Sequence, residues 1–188
     1  MKKVVIDGEG LTIEDVVDVA RNYSQVEMAE KAEEKVNLSR QILEKFKEKK
    51  AIYGVNTGFG ALGNVIIPTD EIKKLQVNLI RSHSSGVGNP LETEITRALM
   101  LLRANTLLKG YSGIRLATLK TLIKMLNRKV HPIIPEKGSV GASGDLAPLS
   151  HMALVMIGEG EAEHKPGNQE IPNLISSIGP QVRHPYLE

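Results

Sequence analysis

The chain contains no cysteine, which excludes a disulfide framework and thiolate chemistry and agrees with a reducing compartment. It also lacks an excess of either charge. Its 24 Lys and Arg face 22 Asp and Glu, a net charge of +2, so it carries no electrostatic footprint for nucleic acid or for a membrane surface. No apolar run approaches membrane-spanning length. The opening MKKVVIDGEG has basic residues, but Asp7 and Glu9 break its apolar run, unlike a secretory signal, and the expected location is the cytoplasm. The histidines, His83, His131, His151, His164 and His184, form no i, i+4 pair and have no cysteine to join them, so no metal site is expected. Internal repeats and low-complexity segments are absent too.

What is present is 41% hydrophobic and 24% charged, enough for one domain with a core. The patterning predicts a mainly α chain with a few short strands. Thr12, with Asp15 three residues on, resembles a capping box opening IEDVVDVARN. A second helix is expected from about Glu27 to Lys50, with Val36, Leu38, Ile42, Leu43 and Phe46 as its apolar stripe. Thr69 is the expected cap of DEIKKLQVNLIRSHSS, Gly110 the stop of LETEITRALMLLRANTLLKG, and GIRLATLKTLIKMLNRK a further helix. LAPLSHMALVMIGEG, apolar on most sides, reads as a buried helix. Between these lie glycine-rich loops, at AIYGVNTGFGALGNVIIP, GVGNP and GSVGASGDLAP. Residues 1–165 are expected to form the domain, and 166–188, without periodicity and richer in Pro and Gly, a divergent tail or linker.

Several motif readings fail on their own chemistry. GFGALG at Gly58–Gly63 fits G-x-G-x-x-G, but NVIIPTD follows where a helix should open and residues 76–88 hold no acid for a ribose, so no nucleotide is expected. Ser143 sits in Gly-Ala-Ser-Gly-Asp rather than G-x-S-x-G, and GSVGASGD lacks the lysine of a phosphate loop. His151, inside an apolar helix, reads as a hydrogen-bonded core group. The bareness of Ala142-Ser143-Gly144 allows one unusual reaction. The Gly144 nitrogen can attack the Ala142 carbonyl, because only small residues permit so close an approach. Loss of one water from the ring and one from the Ser143 side chain leaves an exocyclic methylene, an electrophile no ordinary side chain provides. The same tripeptide is equally compatible with a plain turn.

A resemblance separates these alternatives. GSVGASGDLAPLSHMAL resembles the signature of the aromatic amino acid ammonia-lyases, whose Ala-Ser-Gly becomes the prosthetic group 4-methylidene-imidazol-5-one (MIO). YGVNTGFG at Tyr53–Gly60 is similar to that family's tyrosine loop, and RSHSSGVGNP and NTLLKGYSGIR resemble two more of its segments, so the likeness covers nearly all of residues 1–165. Ser82-His83 looks like the histidine enzymes, where tyrosine enzymes have His-Leu and phenylalanine enzymes Phe-Leu. The resemblance implies conversion of L-histidine, or a related amino acid, to urocanate and ammonia. It implies that Ala142, Ser143 and Gly144 form the electrophile, that Asp145 assists ring closure, that Tyr53 transfers a proton and that His83 contacts the substrate ring. It implies neither a metal nor a nucleotide.

It also implies the fold of the N-terminal MIO-bearing domain of the aspartase/fumarase-like superfamily, without the long central helical bundle. The chain is well under half the length of a complete member, whose remaining pocket residues have no position here. The expected partner is therefore a complementing C-terminal chain or another copy, and in the family the tyrosine loop comes from a neighbouring subunit. Helix faces within Leu91–Lys109 and Gly113–Lys129 are expected to want cover. The alternative is a non-catalytic fragment, or a partner-binding module that keeps the lyase fold.

Overall fold

The computed structural model describes residues 2–47, 49–139 and 144–164. Ala142, Ser143 and the expected tail at 166–188 lie outside them. At the start of the chain β1 (Lys3–Ile6) and β2 (Gln25–Met28) pair in parallel, Val4 opposite Val26, with α1 (Ile13–Ala20) connecting them. The expected capping box opens α1: the Thr12 hydroxyl accepts the Asp15 N–H at 3.2 Å and the Asp15 carboxylate accepts the Thr12 N–H at 3.2 Å. Hydrogen bonds from Thr12 hold the Asp15 carboxyl below its ordinary range.

The helix expected from Glu27 is shorter at both ends. β2 takes residues up to Met28, and α2 runs over Glu30–Phe46. The reason is tertiary. β1 pairs with one edge of residues 25–28, and on the other edge the Asn127 side chain accepts the Val26 N–H at 2.8 Å and donates to the Val26 carbonyl at 2.9 Å. With both edges satisfied, the extended form outweighs local helical preference. The predicted stripe of α2 also divides. Val36 is buried, whereas Leu38, Ile42 and Phe46 are exposed. At about 100° per residue, Leu38 projects roughly 200° away from Val36 and so leaves the core face; Ala32, one turn before Val36, is the second buried residue.

Helix α3 (Ile72–His83) begins three residues after the cap expected at Thr69. The Pro68 carbonyl accepts the Glu71 N–H at 2.9 Å, so a turn occupies Thr69 and Asp70 and Glu71 stands at the N-cap. The chain continues through β3 (Val87–Pro90), α4 (Thr93–Leu108), α5 (Leu116–Asn127), β4 (Val130–Pro132), β5 (Pro135–Lys137), α6 (Leu146–Met156) and β6 (Ala162–His164). β3 pairs antiparallel with β5, and β4 with β6. Gly110, just beyond α4, has φ +77°, the left-handed stop its position requires. The core joins α4 to α5 through Met100, Leu101, Ala104 and Leu108 against Leu119, Leu122, Met125 and Leu126, with Val4, Ile6, Val19 and Val26 beneath. Among the described residues, no helix is long and apolar enough to cross a membrane.

One cation lies inside this core. Arg97, 1% exposed, donates to the Val19 carbonyl from two nitrogens at 2.9 and 2.7 Å, to the Leu126 carbonyl at 3.0 Å and to His131 Nε2 at 2.9 Å. Its guanidinium also stands 4.2 Å from the Tyr23 ring centroid. No carboxylate is needed, because Val19 and Leu126 sit in the last turns of α1 and α5, where the helix dipoles present negative charge. Of the faces expected to want cover, the buried residues of α4 and α5 pack on one another, whereas Ile95 and Leu102 of α4 are 46% and 49% exposed. Helix α6 differs from expectation: only Ala147, Met152 and Val155 are buried, and the rest of its apolar surface is partly open.

Candidate active site

Helix α3 organises the candidate residues. At its C-terminal end the His83 Nδ1 lies 2.9 Å from the Leu79 carbonyl, and the Ser82 hydroxyl donates to the same oxygen at 3.0 Å. A carbonyl only accepts, so this contact places a proton on Nδ1 and leaves Nε2 as the outward acceptor of the neutral ring. His83 is half-buried. Arg81 on the same helix forms a two-pronged pair with Glu159, at 2.8 and 2.6 Å, which ties α3 to the turn after α6.

Three residues after His83, the chain passes a crowded point. The Gly86 N–H donates to His151 Nε2 on α6 at 3.1 Å. A Cβ at Gly86 would stand 3.0 Å from that same nitrogen and 3.1 Å from the Pro135 side chain. Gly138, the first residue after β5, is equally confined: its Cβ would fall 2.9 Å from the Ala147 Cβ and 3.1 Å from the Gly86 Cα. The segment after His83, the end of β5 and the start of α6 therefore meet at two glycines, and no side chain fits between them. Next to it lie Ser139 and, at the start of α6, Gly144 and Asp145. The Ser139 hydroxyl donates to the Gly144 carbonyl, Gly144 has φ +62°, and Asp145 is the N-cap of α6. Gly144 and Asp145 are exposed, and no atom lies within 4 Å of where a Gly144 Cβ would be.

His151 was expected to be a hydrogen-bonded core group; it is hydrogen-bonded but half-buried, and burial lowers its pKa. Its neutral Nε2 is the acceptor that fixes Gly86. The sequence carried no signal for this contact, nor for the meeting of Gly86, Gly138 and Ala147, because those residues lie far apart in the chain.

Tyr53 belongs to a different construction. It lies in the loop between α2 and α3, 65% exposed, with its ring edge-on to Phe59 at 5.7 Å and its hydroxyl accepting the Gly60 N–H at 3.4 Å. Gly63 backs the ring so closely that a Cβ there would stand 2.9 Å from Tyr53 Cε2. The loop rests on α3 through the Gln76 side chain, which donates to the Gly54 carbonyl at 3.2 Å. Among the described residues, no hydrogen bond or ring contact joins Tyr53 to His83, Gly144 or Asp145. The structure thus brings the flanks of His83 and of Gly144-Asp145 together through Gly86, Gly138 and Ala147, a junction that does not include Tyr53. Gly58–Gly63 forms one 3₁₀ turn, Gly60–Leu62, inside a hairpin closed by a Thr57–Ile66 bridge, not a strand leading into a helix.

A mainly helical domain thus packs Gly86 and Gly138 against the start of the apolar helix that follows Gly144, the last residue of the Ala-Ser-Gly sequence. The chain belongs to the aromatic amino acid lyase family, whose model matches residues 11–176. It is 59% identical over 163 residues to the histidine ammonia-lyase of Alkaliphilus oremlandii, covering 86% of this chain and 32% of that protein. It is 60% identical, with the same coverage, to the histidine ammonia-lyase of Caldanaerobacter subterraneus. The chain therefore spans about a third of the length of the curated relatives it matches, and corresponds to their N-terminal part. Among solved structures, histidine ammonia-lyase from Trypanosoma cruzi superposes with a TM-score of 0.82 at 37% identity, over 94% of this chain and 34% of that one. The ergothionase of Treponema denticola gives a TM-score of 0.87 at 34% identity, over 94% and 36%. The fold is that of the ammonia-lyases, mainly helical with few short strands.

Proposed function

We propose that this chain supplies the electrophile-bearing part of a histidine ammonia-lyase, which releases ammonia from L-histidine and leaves urocanate. The observation that carries this reading is the Ala142-Ser143-Gly144 sequence before α6, with Gly86 and Gly138 packed at the start of that helix, in a chain about 60% identical to histidine ammonia-lyases. What is present fits the MIO group: the sequence holds Ala142-Ser143-Gly144, Gly144 adopts the left-handed conformation with open space around it, and Gly138 packs on Ala147 at the start of the helix that follows. When formed, MIO supplies an electrophile that turns the poorly departing amine into a good leaving group.

The remaining tasks fall to side chains and backbone. His83 presents Nε2 as an acceptor, suited to the N–H of a substrate imidazole and not to a phenyl ring. The N-terminus of α6, with Asp145 at its cap, directs positive potential and free N–H groups toward Gly144. Asp145 assists the ring closure as acceptor for the proton that leaves the Gly144 nitrogen. Tyr53 takes the β-proton of the substrate. Its exposure supports a role in the site of a neighbouring copy. The rest of the pocket comes from outside the third of the fold that this chain spans.

Intact mass of the purified chain tests the reading. A deficit of two water molecules mapped to residues 142–144 is expected, followed by urocanate absorbance once the complementing part of the enzyme is added. An unmodified mass, unchanged after that addition, would leave Ser143 a serine and favour a non-catalytic module with the lyase fold.

A further inference from the structure

His151 has no task in the proposed chemistry, yet it joins two parts of the candidate site. It stands on α6 one turn after Ala147, so the two project from the same side of the helix. On that side Ala147 meets Gly138, and the His151 ring meets Gly86. β3 begins only at Val87, paired with Lys137 of β5, so the Gly86 N–H stands outside that ladder and goes to His151 Nε2 at 3.1 Å instead. A bond from N–H to a ring nitrogen fixes the state of the ring. Nε2 must be bare to accept, which puts the proton of the neutral imidazole on Nδ1. Burial lowers the His151 pKa and favours that neutral form. A protonated ring would set two donors against each other, a carboxylate would bring a charge, and a hydroxyl could turn and donate elsewhere.

Gly86 is three residues from His83, a span of at most about 11 Å. The far end of that span is already held: the Ser82, His83 and Ser84 side chains bond to the Leu79 and Ile80 carbonyls of α3 at 2.8 to 3.0 Å. With both ends fixed, a shift of Gly86 is passed on to Ser84, Ser85 and the end of α3 that bears His83. A second tie between α3 and the end of α6 is the Arg81–Glu159 pair, but Arg81 is 48% exposed, and an exposed ion pair holds distance loosely. The His151 bond is partly buried and short. We propose that His151 is a positioning residue of the site: by accepting the Gly86 N–H it fixes the segment after His83 onto the helix that starts beside the reactive tripeptide, and so sets where the substrate imidazole stands relative to the electrophile. This role rests on the proposed function, in which His83 meets the substrate ring and Ala142-Ser143-Gly144 becomes the electrophile. A misplacement of about 1 Å between reacting groups costs on the order of a hundredfold in rate, so their spacing merits a dedicated bond.

The test is NMR of the full chain with labelled backbone and imidazole nitrogens, at about pH 8, above the ordinary histidine value of 6.5. In the wild type the His151 ring should carry its proton on Nδ1, and a scalar coupling should run from the Gly86 nitrogen to Nε2. His151→Leu should speed amide exchange at Gly86 by about tenfold or more and move the His83 ring signals. Gly86→Ala, whose Cβ would stand 3.0 Å from Nε2, should move the His83 signals as well while leaving the histidine in place. His151→Gln keeps a neutral acceptor and should bring Gly86 exchange back to within about threefold of the wild type. A proton on Nε2, absence of the coupling, or His83 signals indifferent to His151→Leu and Gly86→Ala would each overturn the proposal. So would a Gln variant as displaced as the Leu variant, which would make packing, not the acceptor, the role of the ring. Should His151→Leu fail to fold, the wild-type coupling and Gly86→Ala carry the test. An unmodified mass at residues 142–144 strikes the proposed function, whereas unmoved His83 signals strike the positioning role alone.

Discussion

The two glycine-rich segments that carry the candidate chemistry are built in opposite ways. The Tyr53 loop is bonded largely to itself and to its own flank. Asn56, 5% exposed, accepts the Ile52 N–H at 2.7 Å and donates to the Lys47 and Lys50 carbonyls, so one amide side chain satisfies the end of α2 and the turn after it. The hairpin closes through Gly58 to Val65 and Ile67 to Asn56 backbone bonds at 3.0 and 2.9 Å. The flanks of the second segment are instead fixed from elsewhere: Gly138 meets Gly86 and Ala147, Gly86 meets Pro135, and one hydrogen bond joins Ser139 to Gly144. A self-bonded loop can be presented to a neighbour as a unit. Flanks packed by other segments depend on those segments for their position.

Substitutions can break this contrast, and the largest effect is expected at Asn56. Asn56→Ala removes three hydrogen bonds from a buried side chain and leaves the Ile52 N–H and the Lys47 and Lys50 carbonyls without that partner, which should cost about 2–4 kcal/mol in urea unfolding. It should leave the two-water mass deficit intact in the fraction that folds. Gly138→Ala acts on the other loop. Its Cβ would overlap Ala147 and press on Gly86, so a loss of about 1–3 kcal/mol is expected together with loss of the mass deficit. Retention of the full deficit would show that ring closure does not depend on the junction. Gly144→Ala meets no neighbour and should cost about 1 kcal/mol, from the left-handed backbone alone.

The smallest expected effect belongs to His151. Its pKa is lowered in the folded state from 6.5 by burial, so the unfolded chain binds more protons across the interval between the two values. The stabilisation is present above pH 6.5 and lost as pH falls through the folded value. Melting temperatures recorded between about pH 7.5 and pH 5 should fall more steeply for the wild type than for His151→Gln, which keeps an acceptor for Gly86 but does not titrate. Parallel curves would remove His151 as the titrating group.

Local signals in the sequence were legible where local physics decides. The Thr12–Asp15 box, the stop at Gly110 and the start of α6 at Leu146 all depend on neighbours a few residues away. The start of α2 was misread because Asn127, about a hundred positions along, holds Val26 extended. Thr69 failed as a cap because Pro68 draws Glu71 into a turn. Likewise, the family resemblance pointed to Tyr53, His83 and Gly144 separately, but the junction that relates the flanks of two of them consists of glycines and an alanine, whose role is the room they leave. The acceptor on His151 was hidden for the same reason: nothing local to a residue reveals who its partners are.

Arg97 has a consequence for how the domain comes apart. Its acceptors lie 78 residues before it and 29 residues after it, at the ends of two helices. If the β1–α1–β2 unit were to detach alone, a guanidinium would be left in the core with half its acceptors gone. Partial opening at that end is therefore nearly as unfavourable as full unfolding, so the amide protons of β1 and β2 should exchange with solvent only when the whole domain unfolds. A short parallel pair at a chain terminus would otherwise be the first part to fray; here a buried charge makes it among the last.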